Sequence, residues 1–260
     1  SPAEAGYLDT RLEFSSAKKP SNSSLRSVAQ RNDVQHNFHL LIPADKHKDQ
    51  TYFLWKLTQK ELAHTLFPLG GLEKGEIRKL ADEYKLSVAK RKDSQGICFV
   101  GNVEAREFLA RRLKENPGKV LDSDGEEIGR HDGVWFYTIG QRGGWEILPK
   151  AQKKFAENGV TPVFYVIRKD AKTNTLVVGE ANEATENHFE VSEVNWINKT
   201  SEENLLVRIR HGGELIPAKV EKKGESIRMI LEKGVRGIAS GQSAVFYSME
   251  GECVGGGVIV

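Results

Sequence analysis

Ala244-Val245-Phe246-Tyr247, then Glu250-Gly251, then Cys253-Val254-Gly255-Gly256-Gly257-Val258-Ile259 read as two short strands around a tight connection. Aromatic and β-branched residues favour extended chain, and a polar, glycine-bearing break lets the chain double back. The same alternation recurs upstream. Val163 to Arg168, Thr175 to Val178, Leu205 to Arg210, Ala218 to Glu221 and Ser226 to Leu231 are strand-like, with a further turn at Lys222-Lys223-Gly224. Short strands at this spacing predict a small antiparallel β-barrel over residues 162–260. Within it, Gly241-Gln242-Ser243 and Gly255-Gly256-Gly257 read as turn or bulge elements.

Further towards the N-terminus, residues 114–161 form a second β-rich part. Asp124-Gly125 is a hairpin signal between Lys119-Val120-Leu121 and Glu127-Ile128-Gly129. Val134-Trp135-Phe136-Tyr137-Thr138-Ile139 reads as a strand, and Lys150 to Asn158 as a short helix or a loop. Residues 1–113 are different. Ile77, Leu80, Ala81 and Tyr84 recur at helical spacing, with acidic residues early and Lys85 late, which predicts a helix over Glu73 to Lys85. A helix is expected from Gln50 to about Thr65 and a strand at Phe38 to Ile42. Lys90 to Gly101 reads as a loop entering a short apolar strand. Asn102 can cap a helix carrying Ala105, Phe108, Leu109 and Leu113, ended by Asn116-Pro117-Gly118. Residues 1–35 read as loop.

Composition narrows the classes. A chain of 260 residues with 38% hydrophobic and 28% charged residues is globular rather than disordered. No apolar run has the length that spans a bilayer, so no membrane role is expected. The start, Ser1-Pro2-Ala3-Glu4, carries neither a signal pattern nor an initiator Met, and the chain is expected to be a piece or a processed product. Net charge is +2, yet Lys85 to Lys119 holds nine Lys/Arg against four Asp/Glu, a local excess that attracts phosphate or simply solvates a helix face. Two cysteines, Cys98 and Cys253, make neither a disulfide framework nor a Cys-rich zinc site. The seven histidines are scattered, so no metal site is expected.

Cys98 follows Lys90-Arg91-Lys92 and Gly96. Basic neighbours stabilise a thiolate, and the glycine lets the backbone bring sulfur close to a partner. The alternative is a buried structural thiol between Ile97 and Phe99. Lys48-Asp49-Gln50 offers a cation, an acceptor and an amide to a nucleotide, or else a polar turn capping a helix. Thr138-Ile139-Gly140-Gln141-Arg142-Gly143-Gly144 could approach a phosphate backbone or be a tight turn. Alternation places Arg208 and Arg210 on one strand face next to His211, a plausible RNA surface or a solvated one. Cys253 lies in a strand and reads as core.

Five segments, in order, carry a resemblance: Lys48-Asp49-Gln50-Thr51-Tyr52-Phe53-Leu54, Phe67-Pro68-Leu69-Gly70-Gly71, Asp93-Ser94-Gln95-Gly96-Ile97-Cys98-Phe99, Tyr137-Thr138-Ile139-Gly140-Gln141-Arg142 and Gly241-Gln242-Ser243-Ala244-Val245-Phe246-Tyr247. From about Val28 to Val260 the chain resembles the tRNA-specific 2-thiouridylase (MnmA/TrmU) family. The resemblance implies an α+β multidomain chain. It would comprise a C-terminal remnant of an α/β ATP-pyrophosphatase domain (1–113), a small central β-rich domain (114–161) and a C-terminal antiparallel β-barrel that binds tRNA (162–260).

In that family the wobble uridine is activated at its C2 oxygen with ATP and Mg, and a persulfide sulfur replaces that oxygen. The resemblance makes Cys98 the catalytic sulfur carrier. It makes Lys48, Asp49, Gln50, Arg210, His211 and Gln242 the tRNA-contacting residues. It implies a cytoplasmic, monomeric tRNA-uridine sulfurtransferase that takes persulfide from a sulfur-relay protein or a cysteine desulfurase. The sequence holds no Ser-Gly-Gly-x-Asp-Ser loop and no cysteine before Cys98, so neither ATP nor Mg is expected to bind this chain alone. A non-catalytic tRNA-binding piece of such an enzyme is the second expectation.

Overall fold

The computed structural model describes residues 37–260 apart from 92–102, 104, 158, 160–161, 201–202 and 225. The readings at 1–35 and at Cys98 therefore lie outside the described residues. Contacts gather the chain into two compact units. The first comprises Ser1–Lys90, Glu193–Leu215 and Ser243–Gly257, the second Arg91–Ser192, Ile216–Gln242 and Val258–Val260.

Six strands close into a barrel: β6 (Thr185–Trp196), β7 (Asn204–Arg208), β8 (Ile216–Lys223), β9 (Ser226–Arg236), β10 (Ser243–Tyr247) and β11 (Cys253–Ile259), in the order β10-β11-β6-β9-β8-β7. The antiparallel barrel expected for the C-terminal part is present. One of its longest strands, β6, went unread in Thr-Glu-Asn-His-Phe-Glu-Val-Ser, where Phe189 and Val191 are buried while their polar neighbours alternate outward.

In the first unit β10 and β7 pair antiparallel, with Val245 opposite Arg208 and Tyr247 opposite Leu206. Leu205, Val207, Ala244, Val245, Phe246, Tyr247 and Cys253 are sealed inside. The strand expected at Cys253–Ile259 is β11, and Gly255 and Gly256 lie buried within it rather than in a turn. A Cβ on Gly256 would come within 2.9 Å of the Trp55 ring and 2.8 Å of the Ala244 carbonyl oxygen. Glycine is there so that an indole can lie directly on the strand.

The expected strand at Phe38–Ile42 reduces to a single bridge from Leu41 to Glu252. The expected helix from Gln50 to Thr65 is broken. A 3-10 turn at Thr51–Phe53 precedes α1 (Gln59–Leu62), because Thr58 and Glu61 make a reciprocal capping box that starts a new helix. The periodic segment from Glu73 does form α2 (Lys74–Glu83), again with a capping box, Glu73 to Glu76.

In the second unit a five-stranded sheet runs β3-β2-β1-β5-β4, from β1 (Gly118–Leu121), β2 (Glu127–His131), β3 (Glu146–Ile147), β4 (Tyr165–Asp170) and β5 (Thr175–Gly179). The Asp124-Gly125 hairpin joins β1 to β2, and β1 pairs parallel with β5, so the sheet crosses residue 161. Besides α3 (Ala105–Ala110), this unit contains α4 (Pro149–Glu157), which starts on a proline as a first helical turn permits. Val134–Phe136 is a 3-10 turn rather than the expected strand. Its apolar residues plug the core with Val120, Ile128, Leu176 and Val178 instead of entering a ladder.

Candidate nucleic-acid interface

Asp45 opens the segment that carries three of the expected contact residues. Its carboxylate accepts from the His47 and Lys74 backbone N–H groups, each at 3.0 Å, and caps a 3-10 turn at Lys46–Lys48. The Lys74 amide, above all, holds the Asp45 carboxyl below its ordinary range. Lys46, His47, Lys48 and Gln50 are exposed on this turn.

Asp49 points the other way. It is 3% exposed. Its Oδ1 accepts from the Thr51 backbone N–H at 2.9 Å and the Thr51 hydroxyl at 2.6 Å. Its Oδ2 accepts from Arg208 Nη1 at 2.5 Å. The Thr51 hydroxyl lies 3.0 Å from the Tyr247 hydroxyl, and the Arg208 guanidinium sits over the Tyr247 ring, 5.1 Å from its centroid. Burial pushes the Tyr247 phenol above its usual range, so it stays protonated and able to donate. Asp49 thus spends both carboxylate oxygens inside the protein.

A second tether lies one step along. The Tyr52 hydroxyl donates to the carbonyls of Ile209 at 3.3 Å and Ser243 at 3.0 Å, and Trp55 Nε1 donates to the Ser243 hydroxyl at 3.0 Å. These two anchors seat residues 48–53 against the end of β7. Strand β7 stops at Arg208, and the bend that follows separates the two arginines the alternation had put on one face. Arg208 is buried, whereas Arg210 and His211 are exposed. The His211 ring packs 4.7 Å from Phe53 and 6.3 Å from Tyr52, centroid to centroid. The segment that carries the exposed Lys48 and Gln50 is thereby tied to the end of the strand that leads into the exposed Arg210 and His211. Phe53, 56% exposed, belongs to this segment and was not among the expected residues. In sequence it looks like one more apolar residue of a helix.

Gln242 belongs to the second unit. It follows the turn at Gly241 and lines a cavity with Arg168, His188 and Arg228. In the expected phosphate-approaching turn, Gln141 is used internally. Its Oε1 accepts from the Thr138 N–H at 3.1 Å and its Nε2 donates to the Gly143 carbonyl at 3.2 Å, while Arg142 is exposed. Gly140 approaches the Gly237 backbone so closely that a side chain could not fit.

Cys253 is fully buried, and burial pushes its thiol up to about 12, which removes it as a nucleophile at neutral pH. Among the described residues no group of three or more His, Cys, Asp or Glu could hold a metal ion, and no helix is long and apolar enough to cross a membrane.

Three family models match in succession: "tRNA methyl transferase HUP domain" over residues 25–102, "tRNA methyl transferase PRC-barrel domain" over 106–180, and "Aminomethyltransferase beta-barrel domain" over 186–259. The chain is 38% identical over 236 residues to the tRNA-specific 2-thiouridylase MnmA of Shigella flexneri serotype 5b (strain 8401), covering 88% of this chain and 62% of that protein. It has the same identity and coverage against the tRNA-specific 2-thiouridylase MnmA of Escherichia coli O1:K1. The chain therefore spans 62% of the length of these curated relatives.

Proposed function

The chain belongs to the tRNA-specific 2-thiouridylase (MnmA/TrmU) family, and from that premise we propose that it supplies the sulfur-carrying and tRNA-holding part of a tRNA-uridine 2-sulfurtransferase. The observation that carries this reading is that the segment bearing the exposed Lys48 and Gln50 is tied, through the Asp49–Arg208 and Tyr52–Ile209 contacts, to the strand end that leads into the exposed Arg210 and His211. Exposed cations on a rigid base suit the phosphates of an RNA whose bases are recognised unpaired. Gln242 provides a further amide for tRNA from the second unit.

Cys98 is the proposed sulfur carrier. Its thiolate attacks the outer sulfur of a donor persulfide, the donor leaves as a thiolate, and Cys98 becomes the persulfide. That outer sulfur is then the nucleophile for C2 of the uridine. The neighbouring Lys90, Arg91 and Lys92 favour the ionised form. The donor is a sulfur-relay protein or a cysteine desulfurase. In the family ATP with Mg makes the uridine C2 oxygen a leaving group. This sequence has no phosphate-binding loop for ATP, and no step through it is assigned to these residues. The matching family models carry a methyl-transfer description, but a thiol preceded by three cations suits sulfur chemistry, and the relatives' printed names agree with sulfur.

The exposed Arg210 and His211 favour a second reading, in which the chain only grips tRNA. A Cys98→Ser variant separates the two. On the first reading it binds tRNA as the unaltered chain does but neither accepts nor passes on sulfur. On the second, the unaltered chain itself never acquires sulfur.

A further inference from the structure

Phe53 is an exposed aromatic ring packed between the rings of Tyr52 and His211. We infer that Phe53, stacked on His211, is a platform for an unpaired nucleobase of the bound RNA, separate from the uridine that receives sulfur. This rests on the tRNA-binding reading of the same surface and adds to it both a residue and a mode of recognition.

The geometry argues for a base rather than a protein side chain. The rings of Phe53 and His211 lie 4.7 Å apart and tilted by 35°, close to an offset stack, and Phe53 is 56% exposed. The pair cannot easily collapse inward. Tyr52 packs edge-on against Phe53 at 5.4 Å and 85°, and its own hydroxyl is fixed by two backbone carbonyls. A surface for an apolar protein partner would be a contiguous patch. Here the ring rests on the exposed imidazole of His211, which follows the exposed Arg210 in sequence. An open π-face with a cation on the segment that holds its stacking partner matches a nucleotide, whose base stacks while its phosphate is neutralised. Every base has such a face, so the platform is indifferent to sequence and demands only that the base be unpaired.

The test is binding of the whole chain to a tRNA stem–loop and to a fully paired RNA of equal length. Phe53→Ala and Phe53→Leu are each expected to weaken stem–loop binding by roughly ten- to a hundredfold, the usual effect of losing one base stack. Paired-RNA binding and the salt dependence should stay unchanged, and Phe53→Trp should bind the stem–loop at least as well as the unaltered chain. Leucine keeps the apolar bulk without the π-face, so its behaviour distinguishes stacking from packing. Melting curves identify any variant that has lost its fold, and Trp against Leu then decides alone. Full stem–loop affinity in Phe53→Leu, or an equal loss on paired RNA, overturns the platform while leaving the tRNA surface standing. Absence of salt-dependent tRNA binding by the unaltered chain overturns both.

Discussion

The Arg208 guanidinium meets the Asp49 carboxylate at 2.5 Å across 159 positions of sequence, and the two residues are only 7% and 3% exposed. The pair ties the turn that carries Lys48, Gln50 and Phe53 to the strand end that carries Arg210 and His211. Removing one partner leaves the other charge buried without compensation, which costs about 3–5 kcal/mol. Asp49→Ala is therefore expected to lower the unfolding free energy by about that amount in urea denaturation. Lys48→Ala, on the exposed side of the same turn, should leave the transition within about 0.5 kcal/mol of the unaltered chain. An Asp49→Ala variant as stable as the unaltered chain would deny the tether.

Gly256 makes a second structural prediction. The Trp55 ring and the Ala244 carbonyl occupy the space a methyl group would need. Gly256→Ala should destabilise by about 1–3 kcal/mol, as overpacking of a filled core does. The Trp55 fluorescence should shift as its ring is displaced. Gly125, whose position has open space but a left-handed backbone (φ 85°), should respond to Ala through backbone strain alone and leave that fluorescence untouched.

The two cysteines should behave as opposites. Cys253 is sealed, and its thiol is pushed from an ordinary 9.0 up to about 12 by burial. In the native chain a thiol reagent at neutral pH should react with Cys98 alone, so Cys98→Ser should abolish fast labelling. The folded state keeps the Cys253 proton where the unfolded chain releases it. Its contribution is complete below about pH 9 and fades as pH climbs towards 12, by about 1.4 kcal/mol per pH unit for a single group. Denaturant titrations through the alkaline range should show this loss, and a Cys253→Ala variant should show a shallower one.

His131 gives the acid counterpart. Its Nδ1 accepts from the Gly133 N–H at 2.9 Å and its Nε2 faces the Asn174 carbonyl at 3.1 Å, so the neutral ring is the one that fits. Burial lowers its pKa from 6.5. The unfolded chain takes up a proton first as pH falls, so the contribution is whole above about pH 6.5 and is lost below it. Ring-proton NMR should find the His131 ring still neutral at pH 6.5. A His131 ring already charged above pH 6.5 would contradict its placement.

What the sequence made legible follows from physical range. Ala244–Tyr247 and Cys253–Ile259 announced themselves because buried apolar runs are a local signal. Strand β6 did not, because Glu, Asn and His on its outward face mask the alternation of Phe189 and Val191. Val134 to Tyr137 has strand-like composition but plugs a core, a choice made by tertiary packing. The triple glycine reads as a turn or bulge because the Trp55 ring that Gly256 accommodates lies far off in sequence. Lys48, Gln50, Arg210 and His211 could be named as candidates only from the family resemblance. The inward direction of Asp49 could not, since its partner is Arg208, and nothing local to Phe53 shows that its face stays open.

The most direct measurement is where sulfur lands when the chain is incubated with a cysteine desulfurase and cysteine, then digested without reductant and mapped by mass spectrometry. The account predicts one added sulfur on the peptide holding Cys98, released by dithiothreitol and absent from Cys98→Ser, with Cys253 unmodified. A chain that acquires no sulfur at Cys98 under conditions where the desulfurase visibly turns over would contradict it.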